Sequence, residues 1–346
     1  MYDRKDIILA VDYHAENIEI RWFNCASGEE RRLNIPTTRS GVLRLIEQAI
    51  VEAATIGGKV IWIMESTTGW ARVKELIGSR VQFVMANVLQ MPLPPKAYRR
   101  KSDKIDTGRI LREFLNTSLP TSYQPPAWWR EVRRLVDSRQ DLVQQQTAVK
   151  NWISHFLHHE TWEDRDGLWT QQGLRRLRKL KLSAGDRLVL DFKLQELQEL
   201  AERRKQMESA MQAVYEQWPP AQWVDEVRGI GMVTAVSILA HIGPIERFPT
   251  PEDLISYAGL APGHRQSDGT KHNGKIGGEG TDSHLRYLLI ESMQWVCQIP
   301  RYRDAFERAA ARRGKNIARI IVARILLRSL FKMLKDKVRF NQVAVA

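Results

Sequence analysis

Four carboxylates stand out by where they fall. Asp12 closes the apolar run "DIILAVD", Glu65 closes "VIWIME", and Asp103 and Asp106 lie three apart in "KSDKID", a spacing that puts both on one helix face. Carboxylates gathered at one edge of a sheet repel one another unless cations neutralise them, and hard Mg²⁺ prefers such oxygen ligands. Two such ions about 4 Å apart clamp the attacking and leaving oxygens of a phosphodiester. Any one Asp or Glu is more often a solvated charge or a helix cap, so the argument rests on the set.

Residues 263–280, "GHRQSDGTKHNGKIGGEG", hold six glycines, two histidines, three Lys or Arg and a single serine, Ser267. This composition reads as a polar loop whose glycines allow close approach to a polyanion. His264, Arg265, Lys271 and Lys275 then meet phosphates, and Ser267 is a candidate nucleophile. A serine hydroxyl needs activation, and no Ser-His-Asp spacing is evident; neither His264 nor His272 is favoured as a general base or metal ligand. Metal held by the carboxylates is the more economical activator. Upstream, "VRGIGMVTAVSILAHIG" places Gly229 and Gly231 in a tight turn ahead of a helix starting near Val233. This resembles a helix-hairpin-helix, whose N–H groups hold a phosphate without reading sequence; an ordinary helix-helix turn shares the GxG pattern.

The elements that must position these groups follow from periodicity. "DIILAVD" and "NIEIRWFN" read as paired strands, "RRLNIP" as a third, and residues 39–54 as a helix. "KVIWIMES", "GWARVKELI" and "VQFVMANV" continue as strand, helix, strand, the pattern of a mixed α/β sheet covered by helices. Pro-rich joints, "MPLPPKAYRR" and "LPTSYQPPAWW", flank a short helix with Asp103 and Asp106. From Trp128 to Trp218 the pattern is helical, with Leu135, Leu142, Val149 and Phe156 on one seam and Leu190, Leu194, Leu197 and Ala201 on another. A helical hairpin used for oligomerisation is expected, with "LRRLRKLKL" as a basic loop or turn between its arms. The expected organisation is residues 1–124 as the α/β domain, 125–218 as a helical, coiled-coil-like linker, and 219–346 as a mainly α domain.

At 346 residues the chain is long enough for two or three domains. Its net charge of +13 points to a polyanionic partner, nucleic acid first. Residues 301–339 concentrate thirteen Lys or Arg against Asp304, Glu307 and Asp336; a solvated helical face carrying Arg319, Arg324 and Arg328 is the plainer reading of part of that excess. No stretch approaches the 18 or so apolar residues of a membrane span. The opening apolar run is too short for a secretory signal. Cys25 and Cys297 lack metal-type spacing, and a reducing cytoplasm is expected.

Taken in order, "AVD", "WIMESTTGW", "KSDKID", "VRGIGMVTA", "YAGLAPGHRQSDG" and "GKIGGEGTDSHLRYLL" resemble the insertion sequence 110 family of DEDD transposases. The resemblance covers nearly the whole chain, and "YAGLAP" followed five residues later by serine is its most specific part. It implies an RNase H-like, RuvC-like N-terminal domain, a helical linker and a C-terminal transposase domain. It further implies Mg²⁺ at Asp12, Glu65, Asp103 and Asp106, and Ser267 as nucleophile. Where the family usually has Ser-Gly, this chain has Ser267-Asp268-Gly269. RNA-guided recombination is also implied: a non-coding bridge RNA pairs with donor and target DNA, and a dimer or tetramer joins them, the serine of one subunit meeting the carboxylates of another. Expected nucleic-acid contacts are Arg99, Arg100, Lys101, Gly229, Gly231, His264, Arg265, Lys271, Lys275 and Arg286. The alternative is a metal-dependent, structure-specific nuclease using the carboxylates and water, with Ser267 structural. A non-catalytic nucleic-acid-binding protein is disfavoured because all four carboxylates persist in order. A sugar-kinase-like ATPase is disfavoured because "YHAEN" after Asp12 offers no phosphate-loop glycine.

Overall fold

The computed structural model describes residues 2–67, 69–91, 103–160, 166–267, 270–278 and 280–342; the side chains of residues 103–106, 160 and 262–275 lie outside that description. The chain divides into two compact units, Met1–Gln124 and Pro125–Ala346.

The first unit is built on a mixed five-stranded sheet of order β3-β2-β1-β4-β5. Strands β1 (Ile7–Tyr13), β2 (Asn17–Asn24) and β3 (Glu30–Pro36) form an antiparallel meander, while β4 (Val60–Glu65) and β5 (Gln82–Ala86) run parallel to β1. Side chains alternate faces along a strand, and β1 uses both. Ile7, Leu9 and Val11 join one buried cluster that includes Leu45, Ile46 and Ala49 of helix α1 (Arg39–Ile56) and Val73 and Ile77 of α2 (Trp70–Ile77). Ile8 and Ala10 join another with Ile61, Ile63 and, from α3 (Asp103–Leu115), Ile110 and Leu111. A strand covered on both faces must be continuously apolar, which is why "IILAV" shows no alternation. Helix α1 starts where the Thr38 hydroxyl accepts from Gly41 N–H at 3.1 Å, and it stops at Gly57, whose φ of +69° a β-carbon would strain.

The second unit is largely helical. Long helices α4 (Ala127–Glu160) and α6 (Ala184–Glu216) pack antiparallel: Arg139 pairs with Glu208 at 2.8 Å, Arg204 reaches Gln146 at 3.1 Å, and Lys193 lies over the Trp152 ring. Between them Val149, Ile153, Leu157, Leu190, Leu194, Leu197 and Leu200 are buried. Leu200, rather than the expected Ala201, is the buried residue at that end of the seam. Most of the basic segment expected as a loop or turn is helix α5 (Gln171–Arg178). Thr170 caps it and Leu177 is buried, and those two contacts outweigh the repulsion among its arginines. Trp128, Trp129 and Trp218 meet edge to face with centroids 4.9–5.2 Å apart, joining the start of α4 to the end of α6.

The remaining helices, α7 (Pro219–Asp225), α8 (Met232–Ile242), α9 (Pro251–Tyr257), α10 (Ser283–Val296), α11 (Pro300–Arg313) and α12 (Lys315–Asp336), share one core centred on α8, α10 and α12. Between α9 and α10 a two-stranded antiparallel ribbon, β6 (Pro262–Ser267) and β7 (Thr270–Ile276), replaces the expected loop.

Candidate functional site

Parallel pairing of β1 with β4 matches Val11 with Met64, so Asp12 and Glu65 stand one residue further along at the same edge of the sheet. Neighbouring strands lie about 4.8 Å apart, within reach of a shared cation for two carboxylates. Asp12 is buried at 9% exposure, and His14 Nε2 stands 3.3 Å from its Oδ2. Helix α3 begins at Asp103 and packs across β1, β2 and β4, with Thr107 buried in that contact. Gly108 sits so close to β2 that an added β-carbon would fall 2.9 Å from the Arg21 guanidinium. Asp103 and Asp106 thus occupy the first turn of a helix laid on the strands that carry Asp12 and Glu65. The set is all hard oxygen, the donor chemistry Mg²⁺ selects.

Ser267 is the last residue of β6, paired with Thr270 at the tip of the ribbon; Asp268 and Gly269 lie outside the described residues, as do Arg99, Arg100 and Lys101. The register pairs Arg265 with His272 and Gln266 with Lys271, and Lys275 follows on β7. At the base of the ribbon Gly277 N–H donates to the Gly259 carbonyl at 2.9 Å, and the Arg286 guanidinium packs against both glycines. Among the described residues, Arg286 Nη1 is buried without a hydrogen-bond partner, which leaves it available to an anion. Two of the α12 arginines have structural work: Arg324 donates to the Leu260 carbonyl at 2.7 Å, and Arg328 pairs with Glu252 at 3.1 Å. Arg319 instead lines an open pocket with Arg286 and Asn316.

The turn between α7 and α8 is closed by Ile230 N–H donating to the Val227 carbonyl at 2.9 Å, with Gly229 at φ +93° against Trp295. Gly231 caps α8 with no side-chain hydrogen bond, so the first N–H groups of α8 have no capping side chain.

A third arrangement escaped the sequence reading. His241, in the last turn of α8, is 3% exposed; its Nδ1 donates to Asp282 Oδ2 at 2.8 Å, and its Nε2 stands 3.3 Å from Asp137 Oδ1 on α4. Asp282 also accepts from Arg133 Nη2 at 2.6 Å, from the Tyr257 hydroxyl at 3.0 Å and, as N-cap of α10, from Leu285 N–H at 2.9 Å. His284 Nδ1 stands 3.4 Å from the same Asp137 oxygen. Burial opposes ionisation of Asp282 and Asp137, but His241, joined at Asp137 by His284 and with Arg133 nearby, outweighs it and holds both carboxyls well below the usual range. Burial likewise opposes the His241 cation, and Asp137 and Asp282 prevail, raising its pKa. The available signals were a lone histidine in the otherwise apolar "MVTAVSILAHI" and a helix-capping Asp two residues before His284.

A mixed five-stranded sheet with Asp12 and Glu65 at one edge, followed by a mostly helical region, fits the RNase H-like arrangement of the DEDD transposase class. Residues 9–160 match the DEDD transposase family of the IS110 type, and residues 221–308 match the "Transposase IS116/IS110/IS902 family". The chain is 32% identical over 138 residues to an uncharacterised protein of insertion element IS110 from Streptomyces coelicolor, covering 39% of this chain and 34% of that protein. It is 25% identical over 236 residues to a putative transposase of Sinorhizobium fredii, covering 67% and 56%. It is 24% identical over 222 residues to the transposase for insertion sequence element IS1111A of Coxiella burnetii, covering 60% and 58%. The matched regions thus span from about a third to under three-fifths of these relatives' lengths. The chain belongs to the IS110 family of transposases.

Proposed function

We propose that the protein cleaves and exchanges DNA strands between the donor DNA of an insertion sequence and a target DNA, guided by a non-coding bridge RNA and acting as a dimer or tetramer in the cytoplasm of its host. The observation that carries this reading is the register placing Asp12 and Glu65 together at the edge of β1 and β4, with the start of α3 laid on the same strands.

Asp12, Glu65, Asp103 and Asp106 would hold Mg²⁺. Bound there, the ion supplies Lewis-acid polarisation of the scissile phosphate and charge stabilisation. The Ser267 hydroxyl attacks phosphorus, a P–O bond forms as the bond to the leaving deoxyribose oxygen breaks, and the serine proton is given up as the leaving oxygen gains one. The hydroxyl of the incoming strand then attacks the phosphoserine, restoring a phosphodiester and free Ser267. One phosphoester is exchanged for another at each step, so no ATP is consumed. Arg286, the ribbon residues His264, Arg265, Lys271 and Lys275, and the start of α8 in a helix-hairpin-helix arrangement hold the DNA backbone.

The test uses a DNA substrate with a strand break beside the cut site, protein digestion and mass spectrometry of the nucleotide adduct. An adduct on Ser267, absent from Ser267→Ala, is expected, together with a discrete RNA recovered from the purified protein. Cleavage and joining by Ser267→Ala at parental rate would leave a carboxylate-and-water nuclease as the correct reading.

A further inference from the structure

Asp137, His241 and His284 are contributed by three different helices, α4, the end of α8 and the start of α10, and their ligand atoms lie within 4.8 Å of one another. The contacts from Asp137 Oδ1 to His241 Nε2 and His284 Nδ1 measure 3.3 and 3.4 Å. A charge-assisted hydrogen bond between such groups is shorter, about 2.7–2.9 Å. The edge of a tetrahedron whose centre lies about 2.05 Å from each corner is about 3.3 Å, the separation expected of nitrogen and oxygen ligands on Zn²⁺.

Four further observations fit. His241 Nε2 is buried, and among the described residues it makes no well-formed hydrogen bond, only the 3.3 Å approach to Asp137. Asp282, an acceptor, takes the Nδ1 proton of His241, which leaves the lone pair of a neutral imidazole on Nε2; a carboxylate behind a metal-binding histidine is the usual support for such a ligand. With both histidines neutral, as metal binding requires, Asp137 and Asp282 against Arg133 leave the site net negative, which favours a dication. Asp137 and His284 also line an open groove of about 730 Å³ with Gln140, Gln144, Ser283 and Tyr287, so a fourth position is open to water or to a phosphate oxygen.

We propose that Asp137, His241 and His284 bind one divalent transition-metal ion of the Zn²⁺ class, distinct in donor chemistry from the all-oxygen edge of the first unit. The ion ties α4, α8 and α10 together and keeps one coordination position towards the groove. It sits in the second unit and does not depend on the carboxylates of the first or on Ser267.

The full-length protein is stripped with a chelator, exposed to Zn²⁺, desalted and assayed for bound metal, with melting followed in parallel. One Zn²⁺ per chain is expected, and a rise in Tm of about 5–10 °C at a hundredfold excess over Kd. His284→Ala, at a partly exposed position, and Asp137→Asn should each weaken Zn²⁺ binding by at least about tenfold while circular dichroism stays parental, whereas Asp12→Asn and Glu65→Gln should keep the zinc. Co²⁺ in place of Zn²⁺ should give the intense visible bands of a tetrahedral site, lost in His284→Ala. Less than about 0.2 equivalents of Zn²⁺ in the parent, or unchanged affinity in both ligand variants, overturns the proposal.

Discussion

The turn ahead of α8 separates scaffold from contact, and two glycine substitutions two residues apart should behave oppositely. A methyl group on Gly229 would fall 2.3 Å from Trp295 Cβ and 3.0 Å from its Cγ, atoms next to the α10 backbone that cannot swing away. Carbon atoms rest about 3.5–4.0 Å apart, so Gly229→Ala must push the turn from α10 by more than an ångström. The left-handed backbone at φ +93° adds its own penalty, about 1–2 kcal/mol for an L-residue. Overpacking adds about 1–3 kcal/mol. Together, about 2–5 kcal/mol corresponds to a fall in Tm of roughly 4–20 °C for a unit of this size. Gly231, by contrast, has φ −89° and nothing within 4 Å of an added β-carbon. Gly231→Ala should therefore stay within about 0.5 kcal/mol of the parent. If the start of α8 holds a phosphate, that methyl beside its amides should still weaken DNA binding several-fold. Thermal melts and DNA titrations on both variants decide the matter. A Gly229→Ala protein melting with the parent would refute the packing argument, and a Gly231→Ala protein with parental DNA affinity would refute the phosphate contact.

Asp12→Asn and Glu65→Gln should each lower strand exchange by at least about a hundredfold with DNA binding retained, because each removes an oxygen ligand and no basic contact; parental exchange in both would remove the acidic edge from the chemistry. Arg286→Met keeps an unbranched side chain beside Gly259 and Gly277 but removes the guanidinium charge, so the slope of log K against log salt for DNA should fall by about one; an unchanged slope would make Arg286 structural. Cys25 and Cys297 are free thiols that burial pushes up to about 11, with Asp6 and Asp3 adding to the effect at Cys25. At pH 8 their thiolate fraction, and hence alkylation by iodoacetamide, should be about a hundredfold below that of an ordinary exposed cysteine; rapid labelling of the folded protein would contradict that burial.

What was legible in the sequence depended on whether the deciding contact was local. The β1 and β4 runs announce themselves because a strand buried on both faces must be apolar throughout, and the carboxylates ending those runs come with them. The serine ribbon was missed because its strands hold few apolar residues. Its one strong hairpin signal, Asp268-Gly269, sits between polar flanks that pattern reading assigns to loop. Helix α5 was missed for the converse reason: its charge looked like loop, while a Thr170 cap and one buried leucine suffice for two turns.

The histidine network lay furthest from view, and the reason is physical. Asp137 and His284 are 147 residues apart, and Asp282 and Arg133 are 149 apart. Nothing within ten residues of any of them records the partner. A histidine buried alone in an apolar helix would be costly, because its polar nitrogens lose water and gain nothing. "MVTAVSILAHI" therefore tells a reader that His241 must find acceptors or an ion, though not which. The N-cap position of Asp282 answers half of that requirement, since one carboxylate oxygen serves the α10 amide at Leu285 while the other takes the His241 proton. Asp137 and His284, both bordering the groove, answer the other half at distances too long for good hydrogen bonds and suited to an ion between them. A buried polar residue in an apolar helix is thus a question posed locally and answered by tertiary structure, and here the answer includes chemistry as well as packing.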